Sequence, residues 1–198
     1  MIIGLTGGIA TGKSQSSKIF KKLGCYIIDA DKLSRTLTTK NSKCLKDIVG
    51  VFGTDILNNN GSLNRKKLGS IVFSDKQAKT ELERIIHPHI IRKTNEIIAK
   101  KYTVTDIVVD APLLFEVVLD RVCDKVIVVY AEHSLQILRF MKRDNITEEE
   151  AEKRIALQMP IKEKMRLADI TVDNSGTIAE LENKIKEIYK NLKENTHE

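Results

Sequence analysis

Ile2-Ile3-Gly4-Leu5-Thr6-Gly7-Gly8-Ile9-Ala10-Thr11-Gly12-Lys13-Ser14 is an apolar run that gives way to glycines and then to a lysine and a serine. A short continuous apolar stretch bounded by glycine predicts a buried strand over 2–6. From Gly7 to Ser14 the residues fit G-x-x-x-x-G-K-[ST] at every position. Glycines here let the backbone curl so that successive N–H groups point inward at phosphate oxygens. The helix predicted to start near Lys13 adds its positive dipole end and its unpaired N–H groups. Lys13 is placed to reach the outer phosphates as a mobile charge, and the Ser14 hydroxyl to ligate a Mg²⁺ that bridges two of them. The alternative is a chance match in a glycine-rich turn. A strand before the turn speaks against it, as does a helix after it with Ile19, Phe20 and Leu23 on its apolar face.

Gly24 is placed to end that helix, and Cys25-Tyr26-Ile27-Ile28 predicts a second strand, closed by Asp29-Ala30-Asp31. Strand, glycine turn, helix, strand is a β-α-β opening, which calls for a parallel sheet. Ile107-Val108-Val109-Asp110 and Val126-Ile127-Val128-Val129-Tyr130 are continuous apolar runs, as expected of strands buried on two faces. A last strand is read at 168–172 and an amphipathic helix from about Ile178 to Leu192. Between them, 133–166 is helical and basic, with Arg139, Arg143, Arg154 and Arg166.

The middle, about 32–101, is mostly helical by its apolar spacing: Leu45, Ile48, Val49 and Phe52, then Leu68, Ile71, Val72 and Phe73, then a longer segment from Leu82 to Ile98. Asn58-Asn59-Asn60-Gly61 marks a turn. Pro88 is expected to break or kink the long segment near His87. This stretch is too long for one crossover helix, so it reads as an inserted helical subdomain on the carboxyl edge of the sheet.

Composition bounds the function. The chain has 198 residues, 41% hydrophobic and 30% charged, which suits one domain with an insert and argues against disorder. Trp is absent and aromatics are 5%, a poor basis for base-stacking platforms. The net charge of +6 fits anionic partners in general. Cys25, Cys44 and Cys123 are too few and too scattered for a disulfide framework, and no C-x-x-C pair suggests zinc or redox chemistry. They are expected to be reduced thiols of a cytoplasmic protein. No apolar run approaches the roughly 18 residues of a membrane span, and the first residues lack the basic region of a secretion signal.

The glycine turn is shared by kinases, ATPases, GTPases and motors. Asp47-Ile48-Val49-Gly50 matches the D-x-x-G of a GTPase by letters, but it does not follow a strand, and no N-K-x-D occurs. A small-molecule kinase fits the length better. Asp29 and Asp31, two apart at a strand end, can face the same side at the carboxyl edge where ligands bind. One of them could accept the proton of an acceptor hydroxyl. The plainer reading is a turn with an N-cap for a helix starting at Lys32. Arg139 and Arg143 lie four apart and share a helix face, either to grip phosphate or as solvated surface.

The chain resembles the dephospho-coenzyme A kinases over nearly its whole length. The resemblance is carried by Leu5-Thr6-Gly7-Gly8-Ile9 with Gly12-Lys13-Ser14, Ile28-Asp29-Ala30-Asp31 and Arg35, and Gly61-Ser62-Leu63-Asn64-Arg65. It continues through Ile86-His87-Pro88, Pro112-Leu113-Leu114-Phe115-Glu116, Gln136 with Arg139, Arg143-Asp144, Gln158, and Ala168-Asp169 with Asp173-Asn174. It implies an α/β fold, a parallel five-stranded P-loop sheet flanked by helices, with a helical acceptor-binding insert and a helical lid. The core is then about 1–31, 105–132 and 168–198, the insert about 32–101 and the lid about 136–166, all in a single kinase domain. The implied reaction is ATP- and Mg²⁺-dependent phosphorylation of the ribose 3′-hydroxyl of dephospho-coenzyme A, the last step of coenzyme A synthesis. Asp31 maps to the proposed base, with Lys13, Arg139 and Thr6 at the catalytic site. ATP binding maps to Gly8, Ile9, Ala10, Thr11, Gly12, Lys13, Ser14, Gln15, Arg139 and Arg143, and the metal to Ser14. The acceptor side maps to Asp31, Arg65, His87, Leu113, Leu114, Phe115 and Glu116. The resemblance implies no nucleic-acid or membrane partner, and an assembly that is a monomer or a homo-oligomer such as a trimer. Rival readings are another small-molecule or nucleoside monophosphate kinase, and a P-loop regulator that holds nucleotide without transfer.

The sequence departs from the family at Gln15, where Thr is usual, and at Thr38-Thr39-Lys40-Asn41-Ser42, where a Pro-Gly turn is common. Gln15 cannot offer a hydroxyl to the α-phosphate, although its amide and backbone N–H can donate. Asp110 ends an apolar strand, as a metal-orienting Asp does in P-loop proteins.

Overall fold

The computed structural model describes residues 1–194, so residues 195–198, which the sequence reading assigns to the end of the core, lie outside the described residues. In chain order the elements are β1 Ile2–Gly7, α1 Lys13–Lys22, β2 Tyr26–Asp29, α2 Ala30–Leu37, α3 Lys43–Phe52, α4 Arg65–Ser74 and α5 Lys76–Lys101. They continue with β3 Ile107–Asp110, β4 Lys125–Tyr130, α6 His133–Asp144, α7 Glu148–Ile155, α8 Ile161–Leu167, β5 Ile170–Asp173 and α9 Ile178–Glu194. The chain divides into two compact units, one formed by Met1–Ile28 with the chain from Lys100 onward, the other by Asp29–Ala99.

In the first unit the five strands form one parallel sheet in the order β2-β3-β1-β4-β5. The strands read from continuous apolar runs are the central ones. β1 and β3 have no exposed residue, while the edge strands β2 and β5 are partly open. This is the burial that a sheet covered on both faces requires. Leu5 pairs with Asp110 on one side and with Ile127 on the other. β1 thus ends at the centre of the sheet, where the strand order reverses, the place at the carboxyl edge where sheets of this kind bind ligands.

The core joins Ile3, Leu5, Val108, Ile127 and Val129 of the sheet to Ile19 and Phe20 of α1 and to Leu181, Ile185 and Leu192 of α9. Phe20 is fully buried, and its ring meets Tyr189 edge to face at 5.9 Å. A separate cluster of Ile137, Phe140 and Ala151 packs against Ile9 and Ala10, so α6 and α7 close over the glycine turn.

Asp106 ties both ends of this unit together. Its carboxylate takes the Met1 ammonium at 2.9 Å, the Tyr189 hydroxyl at 2.6 Å and Lys193 at 3.0 Å. Burial works to raise its pKa, but the three donors outweigh it and hold the group down at about 2. A carboxyl with a depressed folded-state pKa contributes stability above its unfolded pKa and loses it as pH falls through the folded one. The contribution of Asp106 is therefore full above pH ~4 and vanishes near pH 2. Urea unfolding at pH 5, 3 and 2 is expected to show a steeper loss for the natural chain than for Asp106→Asn. Parallel curves would remove Asp106 as the cause.

The second unit is helical. Cys44, Leu45, Ile48, Ile56, Leu63 and Leu68 form its core, with Leu82, Ile85 and Ile86 of α5 packed against it. A small antiparallel bridge between Leu57 and Leu63 encloses the Asn58–Gly61 turn. The break allowed for at Pro88 does not occur: α5 runs from Lys76 to Lys101 with Pro88 inside it. Proline removes one helical bond, the one the Arg84 carbonyl would accept. Apolar packing before it, at Ile85 and Ile86, and buried Ile90 after it hold the helix together. The Asp47–Gly50 stretch lies inside α3, in keeping with its rejection as a GTPase motif.

Candidate active site

The glycine turn leads from β1 to α1 through Gly12, whose φ of 99° is left-handed. No side chain caps α1, and of its first-turn N–H groups only that of Gln15 donates within the turn, to Gly12, which leaves those of Lys13 and Ser14 for another acceptor. Two buried amides brace the turn from behind. Gln136 Nε2 donates to the Ile9 carbonyl at 2.8 Å, and Asn174 Nδ2 donates to the Thr11 carbonyl at 2.8 Å. In a trans peptide the N–H points opposite to the C=O. Holding these two carbonyls therefore turns the N–H groups of Ala10 and Gly12 the other way. The bracing also explains the glycines: a Cβ on Gly8 would come 2.7 Å from Gln136 Nε2, and one on Gly12 would come 2.0 Å from Asn174 Nδ2.

Lys13 Nζ is ion-paired with Asp110 at the end of β3, and both side chains are largely buried. Ser14 is exposed, and its hydroxyl has no partner among the described residues. The Gln15 N–H donates to the Gly12 carbonyl at 2.9 Å. Fully buried Thr6 donates through Oγ1 to the Pro112 carbonyl at 3.2 Å. After Pro112, Leu113 is exposed, Leu114 is fully buried as a packing residue, and Phe115 and Glu116 are half-buried. Arg139 donates to the Asn174 carbonyl at 2.7 Å and the Gly176 carbonyl at 3.5 Å, next to the amide that braces the turn. Arg143 is exposed, paired with Asp144 at 2.7 Å and lying 5.0 Å over the Phe140 ring.

The other expected residues belong to the second unit. Asp29, not Asp31, is the N-cap of α2: its Oδ1 accepts from the Lys32 N–H at 2.9 Å. The helix begins at Ala30 rather than Lys32, so Asp31 lies in its first turn and is exposed. The two carboxylates therefore do not follow strand alternation. Arg65 donates to Thr38 Oγ1 at 2.6 Å, which anchors it to the stretch where the family's Pro-Gly turn is replaced. His87 is half-buried, and burial lowers its pKa while Glu83 opposes the shift. Its neighbour His89 is the better-anchored imidazole, between Asp47 at 2.9 Å and Arg92 at 3.2 Å. Arginine can only donate, so Nδ1 of His89 accepts and Nε2–H donates to Asp47. His89 and Asp47 line a cleft of about 460 Å³ with Lys43, Arg84, Ile85, Pro88 and Arg92.

Reading residue types along the chain missed Gln136, Asn174 and Lys164 as parts of the site. The first two stood in the family pattern without a role, and burial of an amide is invisible in sequence. The oxygen donors at hand, the Ser14 hydroxyl and the Asp110 carboxylate, suit Mg²⁺, which takes one or two protein oxygens and completes its shell from phosphate and water. Among the described residues no group of three or more His, Cys, Asp or Glu forms a dedicated metal cage, and no helix is long and apolar enough to cross a membrane.

The family model described as CoaE, dephospho-CoA kinase, matches residues 1–180. The chain is 41% identical over 195 residues to a dephospho-CoA kinase of Bacillus cereus, covering 96% of each protein. Among solved structures it is similar to TT1252 from Thermus thermophilus, with a TM-score of 0.82, 28% identity and 97% of each chain covered. It is also similar to a dephospho-CoA kinase from Campylobacter jejuni, with a TM-score of 0.72, 31% identity and 98% of each chain covered.

Proposed function

This chain belongs to the dephospho-CoA kinase family, and we propose that it transfers the γ-phosphoryl group of ATP to the ribose 3′-hydroxyl of dephospho-coenzyme A. The observation that carries the reading is the uncapped start of α1, with its glycine turn braced by Gln136 and Asn174 and its lysine held by Asp110. In the transfer, the bond from the γ-phosphorus to the bridging oxygen of ATP breaks and a bond to the 3′-oxygen forms. The hydroxyl proton passes to the Asp31 carboxylate. Charge spreads over the moving group, so the protein's part is cations and positioning. The N–H groups of Ala10, Gly12, Lys13 and Ser14 hold the phosphates and Lys13 follows the γ-phosphoryl. Arg139 joins them by exchanging its carbonyl partners for phosphate oxygens.

Ser14 would hold a Mg²⁺ ion and Asp110 would orient it, and the ion would supply positive charge to neutralise the phosphates. In this reading Arg65 and His87 of the second unit each have an acceptor-binding role, as does the Leu113–Glu116 turn of the first unit, which buried Leu114 anchors. The enzyme works in the cytoplasm on two small molecules, without nucleic acid or membrane.

The test is ADP release coupled to a spectrophotometric readout, with ATP and Mg²⁺ and with dephospho-coenzyme A, AMP, CMP and shikimate offered in parallel. Turnover is expected with dephospho-coenzyme A alone. Turnover of AMP in its place would sink the assignment, and nucleotide binding without acceptor-dependent release would leave a regulator.

A further inference from the structure

Lys164 lies in α8 with no exposed side-chain surface. An ammonium there has lost its hydration and needs partners to replace it. Its Nζ donates to the Pro112 carbonyl at 2.5 Å and lies 3.1 Å from Glu116 Oε1. Both partners are shared. The Pro112 carbonyl also accepts from Thr6 at the end of β1 at 3.2 Å, and Glu116 Oε1 also accepts from the Met159 N–H at 3.3 Å. The turn 112–116 is thereby held from two sides, by the strand that leads into the phosphate loop and by the segment 159–164.

Glu116 has one oxygen engaged by these contacts, while Oε2 is buried with no partner among the described residues. Without the ammonium, that carboxylate would face desolvation with no counter-charge and would turn toward water. Burial lowers the pKa of Lys164, Glu116 opposes the shift, and the charge of Lys13 adds to it. Lys164 thus stands within electrostatic reach of the phosphate-loop lysine, while both of its partners belong to the turn.

We propose that Lys164 is a positioning residue for phosphoryl transfer: its buried ammonium fixes the 112–116 turn through the Pro112 carbonyl and Glu116, and thereby sets the place of the acceptor without touching either substrate. The proposal rests on the kinase reading above in assigning that turn to the acceptor.

Two measurements on Lys164→Met test it. In steady-state kinetics the KM for dephospho-coenzyme A is expected to rise about tenfold or more, with the KM for ATP held within about twofold, the split expected when one substrate's binding surface loosens. In hydrogen exchange, the Val117 and Leu119 amides, which donate to Leu113 and Leu114 at 2.9 Å, should exchange about tenfold faster while β1 amides keep their rates, the mark of a local opening. An unchanged KM for the acceptor, equal rises in both KM values, or faster exchange throughout the sheet would each overturn the proposal. Should Lys164→Met fail to fold, Lys164→Gln, which keeps an N–H donor for Pro112 but no charge, is read by the same criteria. If the natural chain releases no ADP with dephospho-coenzyme A, the kinase assignment falls by itself, and the Val117 and Leu119 rates still decide whether Lys164 fixes the turn.

Discussion

Lys13→Ala is expected to lower acceptor-dependent ADP release by about a thousandfold or more, because removing a cation aimed at developing charge in a dry site costs at least that much. The lysine sits at the first position of α1, where the helix dipole and the loop N–H groups already favour phosphate. Its charge is the part that can follow the phosphoryl group as it moves. The variant has a second effect. Lys13 is paired with buried Asp110, and deleting one member of a buried pair costs about 3–5 kcal/mol through the charge left behind. The double variant Lys13→Ala with Asp110→Asn separates the two effects. It is expected to recover thermal stability while remaining inactive. A single variant with turnover within tenfold of the natural chain would remove Lys13 from the chemistry, and a double variant that regains turnover would make its role structural.

Asp31→Asn is expected to keep ATP binding and to lose turnover by about a hundredfold to ten-thousandfold, the range typical of general-base removal. Asparagine preserves shape and much of the hydrogen bonding but cannot take the proton of the 3′-hydroxyl. The matched control is Asp29→Asn. Asp29 caps α2 through the Lys32 N–H, and Asn is nearly as good a cap as Asp, so its effect on α2 stability is small. Turnover is read by ADP release, and nucleotide affinity by calorimetry with a non-hydrolysable analogue. Near-normal turnover in Asp31→Asn, or a loss confined to Asp29→Asn, would move the base to another group.

Much of the sheet was legible because its signals are local. The strands at 2–7, 107–110 and 125–130 are built on the apolar runs Ile2–Leu5, Ile107–Val109 and Val126–Val129, and such runs become central strands because both their faces can be buried. The glycine turn was legible because G-x-x-x-x-G-K-[ST] lists the residues whose backbone and charge make the phosphate cradle. The break allowed for at Pro88 does not occur, because the rule against proline weighs one lost bond and takes no account of apolar packing on both sides. The cap of α2 was misplaced by two residues because Asp29 and Asp31 carry the same side chain, and only the backbone of Asp29, at φ −86° and ψ 105°, distinguishes them.

The sequence by itself determined a parallel nucleotide-type sheet, a glycine turn closed by Lys13 and Ser14, and a family pattern specific enough to name a reaction. Tertiary structure alone decided which polar groups are buried and what they face. Gln136 and Asn174 brace the turn across separations of 127 and 163 residues. Lys164 reaches Pro112 across 52 residues. No local propensity encodes such contacts. They exist because folding brings distant segments to one edge of the sheet, where a buried amide or ammonium is stable only when it finds a partner.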